Sequence, residues 1–222
     1  MFKAIIFDCD GVLVDSEVLF HAVELEVLAE FGLLYESRAF KARFLGMSDA
    51  AYYAALEEEA LAKLGRSIIA ELRPRMTARV LEQFEQKLCA VEGALDAVNS
   101  VRLPKAVASS SGIKSLDRKL QRFDLWQAFA PHIYSSEHVA KAKPAPDLFL
   151  HAAAQLGVAP SACLVIEDSV NGVKAGLAAG MTVWGFSGGS HMDEMMRGLL
   201  VEAGAHRQVA DWAEAKTLFA AL

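Results

Sequence analysis

The stretch that most constrains this chain is Ala4-Ile5-Ile6-Phe7 followed at once by Asp8-Cys9-Asp10-Gly11. Four apolar residues without alternation describe a strand buried on both faces, as in a parallel sheet covered by helices. Its end carries two carboxylates one residue apart, which repel each other unless a cation or a proton shares them. Open parallel sheets bind ligands at the carboxyl ends of their strands. The opening therefore predicts an α/β fold with divalent-cation chemistry at the end of its first strand.

Further strand-like runs follow at Lys105–Ser109, His132–Ser135, Cys163–Glu167 and Met181–Phe186, most of them separated by helical patterns. That alternation predicts a Rossmann-like, doubly wound parallel sheet with right-handed crossovers. The interval between the first two runs differs. From Ser16 to Leu88 it is rich in Ala, Leu, Glu and Phe, without a convincing strand, and Phe20, Glu24, Val27, Leu28 and Phe31 follow helical spacing. Asp15 or Ser16 is suited to cap its first helix, Gly32 to end it, and Pro74 to begin a later one. The expected organisation is a catalytic core of residues 1–15 and 89–222, with an all-helical cap of 16–88 acting as a lid and specificity domain. Val12–Asp15 and Cys89–Gly93 would be its hinges.

Composition narrows the function classes. The chain has 222 residues, 54% of them hydrophobic, and a formal charge of −6 with Lys and Arg scattered. No apolar run is long enough to span a bilayer, and no basic patch suggests nucleic acid. Asp8 and Asp10 interrupt what might pass for a signal peptide, and Cys9, Cys89 and Cys163 form no CxxC, which together predict a cytoplasmic protein. Neither nucleic acid nor a membrane is expected as a partner, and the chain is expected to be a monomer, with a weak dimer as the alternative. Gly189-Ser190-His191-Met192 has the look of a tag-cleavage scar, but its position inside the chain marks it as native.

Three other polar sites follow core elements. Ala106-Val107-Ala108 runs into Ser109-Ser110-Ser111-Gly112, a strand-to-helix turn of the kind that favours an anion. Lys143 stands between stiffening residues in Lys141-Ala142-Lys143-Pro144-Ala145-Pro146-Asp147, where Asp147 is suited to cap the next helix. Leu164-Val165-Ile166 ends in Glu167-Asp168-Ser169, again two acids at a strand's mouth, with Gly172 and Gly176 following for close helix–sheet packing. The sum is an oxygen-ligand magnesium site, a phosphate pocket and a spare carboxylate for proton transfer.

Asp8-Cys9-Asp10-Gly11-Val12-Leu13-Val14-Asp15-Ser16-Glu17 resembles the first motif of the haloacid dehalogenase superfamily; Ser109 matches the second, Lys143 the third and Glu167-Asp168-Ser169 the fourth. The helical insert resembles the cap of the subgroup containing β-phosphoglucomutase and small sugar-phosphate phosphatases. The resemblance implies that Asp8 attacks phosphorus to form an aspartyl phosphate, and that Asp10 protonates the leaving alkoxide and then takes a proton from water. It implies magnesium (Mg2+) held by Asp8, the Asp10 main-chain carbonyl and Asp168, with Glu167 supporting. Ser109, Ser110 and Lys143 would bind phosphoryl oxygens, and the first strand would lie between the second and fourth. Loss of Lys143 is expected to end activity without lowering the stability of the metal-free protein.

The subgroup's mutases carry a histidine where this chain has Phe20 and an arginine where it has Asp49. The expectation is therefore a magnesium-dependent phosphatase acting on a small phosphorylated substrate, such as a sugar or sugar-acid monophosphate. A phosphomutase is the alternative, and a non-catalytic phospho-metabolite sensor or scaffold is the alternative from another class. Specificity is expected in the cap, at Phe20, His21, Arg43, Gly46, Met47 and Asp49. Arg75 and Arg79 are either cations for an acidic substrate or ordinary surface salt bridges.

Overall fold

The structure, a computed structural model, describes residues 1–44, 47 and 49–222, with residues 42, 49 and 50 as main chain only. It divides into two compact units, one formed by Met1–Asp15 with Cys89–Leu222, the other by Ser16–Leu88.

The first unit is built on six parallel strands, β1 (Ala4–Phe7), β2 (Lys105–Ser109), β3 (Ile133–Ser135), β4 (Cys163–Glu167), β5 (Thr182–Phe186) and β6 (Arg207–Val209), in the order β3-β2-β1-β4-β5-β6. The first strand lies between the second and fourth, as the resemblance implied. Register pairs Phe7 with Val107 on one side and Ile166 on the other, so the residues just beyond, Asp8, Ala108 and Glu167, come out level. Strand β6 escaped the sequence reading because it is a three-residue edge strand with a single apolar residue, Val209.

Among the described residues the second unit holds four helices, α1 (Glu17–Glu30), α2 (Ser37–Phe44), α3 (Asp49–Leu64) and α4 (Ile69–Lys87). The first unit carries α5 (Ala94–Ser100), α6 (Ile113–Arg122), α7 (Trp126–Phe129), α8 (Asp147–Leu156), α9 (Val170–Ala178), α10 (Glu194–Glu202) and α11 (Trp212–Phe219). Alternate residues of each strand feed opposite faces. Ala4, Ile6, Ala106, Val165 and Val183 pack with Leu148, Phe149, Ala152, Val173 and Leu200 of α8, α9 and α10. On the other face Phe7 meets Phe129, Trp212 and Phe219 at ring-centroid distances of 5.5, 5.9 and 6.2 Å. The sheet is thus covered on both sides, which is why its central strands β1 and β4 are buried along their whole length. Gly176 belongs to this packing: a Cβ there would come within 2.6 Å of Val183 Cγ2.

In the helical unit Val23, Val27 and Leu28 pack with Phe40, Phe44, Leu56, Ala60, Leu72 and Met76. Gly32 ends α1 as expected, at φ +90°, with its N–H on Ala29 O and that of Leu33 on Leu28 O, a Schellman-type closure. Three expectations fail. Ser16 stands at the N-cap of α1 without a side-chain capping bond, because Asp15 turns instead to Ser190. Pro74 lies within α4, which begins at Ile69, so the Ala70 carbonyl loses its intrahelical donor. Asp147 is likewise the first residue of α8 and not its cap. Among the described residues no helix is long and apolar enough to cross a membrane.

Trp212 is fully buried, tilts against Phe186 at 4.6 Å and donates its Nε1–H to Val12 O at 3.0 Å. Trp212→Ala should lower unfolding free energy by about 3–5 kcal/mol, measured by chemical denaturation; a loss below about 1 kcal/mol would contradict this packing.

Candidate active site

The carboxyl ends of β1 and β4 bring Asp8, Glu167 and Asp168 together, each with one carboxylate oxygen within 4.8 Å of the others, all three residues buried. Desolvation makes such a trio costly unless positive charge accompanies it. Lys143 supplies one: its Nζ donates to Asp8 Oδ1 at 2.6 Å, Glu167 Oε1 at 2.7 Å and Ala108 O at 2.9 Å. The loop before α8 delivers this ammonium, and Phe149 of that helix lies beneath it, 4.7 Å away.

Glu167 of the fourth motif is held from its own helix. Glu167 Oε2 accepts from the N–H and hydroxyl of Ser169, both at 2.9 Å, while Ser169 Oγ caps α9 by accepting from Gly172 N–H at 3.0 Å. A Cβ on Gly172 would fall 1.7 Å from Glu167 Oε1, so only glycine lets the carboxylate fold over the helix start. Gly11, at φ +74°, makes the matching concession to Asp168, whose Oδ2 would lie 1.8 Å from a Cβ there.

Burial raises the pKa of Asp8 well above the carboxylate range; Lys143 opposes this, and Glu167 and Asp168 add to it. Asp168 is raised in the same way, by burial first and then by Glu167. Burial alone would lower the pKa of Lys143, but the charges of Asp8 and Glu167 reverse that and hold it protonated. Three acids against one lysine leave an excess of negative charge beneath hard oxygen donors, which fits magnesium in donor type. Asp8 and Asp168 would hold it, with Glu167 alongside.

Asp10 stands to one side. Its Oδ2 accepts from Ser111 Oγ at 2.8 Å and Ser109 Oγ at 3.2 Å, and its Oδ1 pairs with the Lys119 ammonium. Ser109 is therefore turned toward Asp10, and the second inward hydroxyl belongs to Ser111. Ser110 is exposed, and its carbonyl accepts from Ser136 Oγ at 2.8 Å. The anion-attracting start of α6 already faces a carboxylate, since Glu137 Oε1 accepts from Ile113 N–H at 3.3 Å.

Sequence reasoning passed over three residues. Lys119 lies in a charged run, Asp117-Arg118-Lys119, yet shares the buried face of α6 with Leu116 and Leu120; that spacing is its one signal. Ser111 needed the turn geometry. His191, from the segment resembling a tag scar, is half-buried with a largely covered side chain, its Nε2 3.0 Å from Asp168 Oδ2, and its neighbour Ser190 binds Asp15 through both N–H and hydroxyl.

The residues expected to set specificity belong to the helical unit. Phe20 is 39% exposed on α1. His21 Nε2 lies 2.8 Å from Ser37 Oγ, and burial, then Lys41, lowers its pKa. Arg43 pairs with Glu59 at 3.1 Å, and Met47 is exposed. Gly46 and the Asp49 side chain lie outside the described residues. Arg75 pairs with Glu30 and Arg79 with Glu26 and Glu82, the surface salt bridges that were one of their two readings.

The parallel sheet, the acid pairs ending its central strands and the bridging lysine define a haloacid dehalogenase-type hydrolase. The family model for haloacid dehalogenase-like hydrolases matches residues 2–180, and the chain belongs to that family. It is 29% identical to the 6-phosphogluconate phosphatase of Escherichia coli K12, covering 85% of this chain and 84% of that one. It is 34% identical to hexitol phosphatase B of the same organism, over 80% of each. The crystal structure of a HAD family hydrolase from Deinococcus radiodurans R1, with bound phosphate and sodium, superposes with a TM-score of 0.80 at 34% identity, over 99% of this chain and 96% of that one.

Two predictions follow from the charge balance. Lys143→Met leaves three buried acids without their cation, so the metal-free variant should lose about 3–5 kcal/mol of stability, reversing the expectation drawn from sequence; unchanged denaturation in EDTA would refute it. Asp8 and Asp168 hold protons more tightly folded than unfolded. The stability this gives is full below the ordinary carboxylate pKa and is lost as pH rises through the raised values. In EDTA, the melting temperature of the wild type relative to Asp8→Asn should therefore fall as pH rises above the ordinary carboxylate range; a flat difference would contradict the raised pKa.

Proposed function

We propose that this chain is a magnesium-dependent phosphatase of small phosphorylated metabolites, working through an aspartyl phosphate on Asp8. It is a phosphoric monoester hydrolase, and the named activities of its relatives favour sugar or sugar-acid monophosphates. The observation that carries the reading is Asp8 itself: a buried carboxylate bonded to Lys143 and crowded by Glu167 and Asp168. A structural aspartate gains nothing from that company, whereas a nucleophile facing a phosphate dianion needs both the lysine and a cation.

An Asp8 oxygen attacks phosphorus in line with the ester bond, which breaks toward the leaving oxygen. Asp10 gives that oxygen a proton as the acyl phosphate forms. Water then attacks phosphorus, Asp10 takes its proton back, and phosphate leaves with Asp8 restored. Lys143 offsets charge on the phosphoryl oxygens, and the Ser109–Ser111 turn lies beside them. Bound magnesium would add positive charge against the dianion at Asp8, Asp168 and the Asp10 main chain, with Glu167 in support. The helical unit of residues 16–88 serves as the cap that selects the substrate.

Asp8→Asn should keep the fold and abolish phosphate release; turnover within a few-fold of wild type would end the aspartyl-phosphate reading. EDTA should silence the enzyme and magnesium restore it, whereas full activity in EDTA would remove the metal. With β-glucose 1-phosphate, phosphorus NMR should show inorganic phosphate as the product. Glucose 6-phosphate accumulating without phosphate release would identify a mutase.

A further inference from the structure

Lys119 is a buried ammonium that the proposed reaction does not use. A lysine on the inner face of an amphipathic helix is costly to bury without partners, and leucine or methionine would fill the same space at lower cost. Its neighbours on that face, Leu116 and Leu120, are fully buried. The ammonium meets Asp10 Oδ1 and donates to Ser111 Oγ at 2.9 Å, while Ser111 donates onward to Asp10 Oδ2 at 2.8 Å. Ser109 reaches the same oxygen at 3.2 Å and accepts from the Ser111 N–H at 3.0 Å. Both oxygens of Asp10 are thus gripped from α6 and the turn before it, while its main chain belongs to the turn after β1, where Gly11 N–H donates to Val14 O at 2.8 Å.

We propose that Lys119, bridged by Ser111, is a positioning residue for Asp10, fixing the plane of its carboxylate for the proton transfers of phosphoryl transfer. The proposal rests on Asp10 being the acid and base. A carboxylate on a turn has two soft side-chain torsions, and proton transfer needs it within hydrogen-bond reach of the reacting oxygen. Donors on both oxygens remove the rotation that would take it out of line. Lys119 itself neither touches the phosphoryl group nor carries a proton in the reaction.

The test is a double-mutant cycle read by single-turnover phosphate release from an alkyl and an aryl monophosphate. Lys119→Met keeps the length of the stem and removes the charge; Ser111→Ala removes only the bridging hydroxyl and serves if the methionine variant does not fold. Either should lower the rate for the alkyl ester by about tenfold or more, within the ~10²–10⁴-fold that acid–base catalysis supplies, and less for the aryl ester, whose leaving group needs little protonation. KM should stay within about threefold of wild type, because binding is not what is lost. In an Asp10→Asn background neither substitution should cost more than about twofold, since an effect carried by Asp10 vanishes with it. The same fractional loss in both backgrounds would mark Lys119 as merely structural and overturn the proposal alone. Asp10→Asn retaining wild-type turnover would overturn the acid–base reading, and this proposal with it.

Discussion

Three carboxylates and one ammonium share the closed end of the sheet's two central strands, and the rest of the molecule is arranged around making that tolerable. Asp8, Glu167 and Asp168 are buried where water cannot screen them, and Lys143 reaches two of them. A fully compensated cluster would be inert, and an uncompensated one would not fold. One lysine for three acids lies between those limits, stable enough to exist and negative enough to favour a cation.

Fine geometry at this point is set by small residues more than by charged ones. Gly172 and Gly11 leave room for the Glu167 and Asp168 side chains, and either Cβ would occupy the space of a carboxylate oxygen. Ser169 binds Glu167 and starts α9 with the same hydroxyl, so the helix and the acid are fixed together. Glu167 is positioned by the helix that follows its own strand, whereas Asp8 and Asp168 are met from other strand ends, by Lys143 and by Gly11 with His191.

That dependence explains what the sequence disclosed. Asp8, Glu167, Asp168 and Lys143 were legible because each adjoins a strong local signal: an apolar strand that stops in acids, or a proline-flanked loop. The place of the first strand between the second and fourth was implied by the family resemblance. Lys119 and His191 were not legible, because one sits in an ordinary charged helix and the other in a loop of small residues; only the fold brings them to Asp10 and Asp168. That the Ser111 hydroxyl reaches Asp10 depends on the path of a tight turn, finer than residue types record. Pro74 and β6 were missed for a different reason: tertiary packing carried a helix past a proline and recruited a nearly polar segment as an edge strand.

The two segments that flank residues 16–88 are tied to each other. Asp15 N–H donates to Cys89 O at 2.9 Å, and Val14 bridges Ala90 in antiparallel fashion, so the core holds together the two points where residues 16–88 depart and return. A segment inserted there finds its ends already joined, and the entropy of closing so long a loop is met by the core's own backbone pairing. The core is in this sense a socket. A helical segment of another length would meet the same joined ends and leave the pairing of the sheet unchanged.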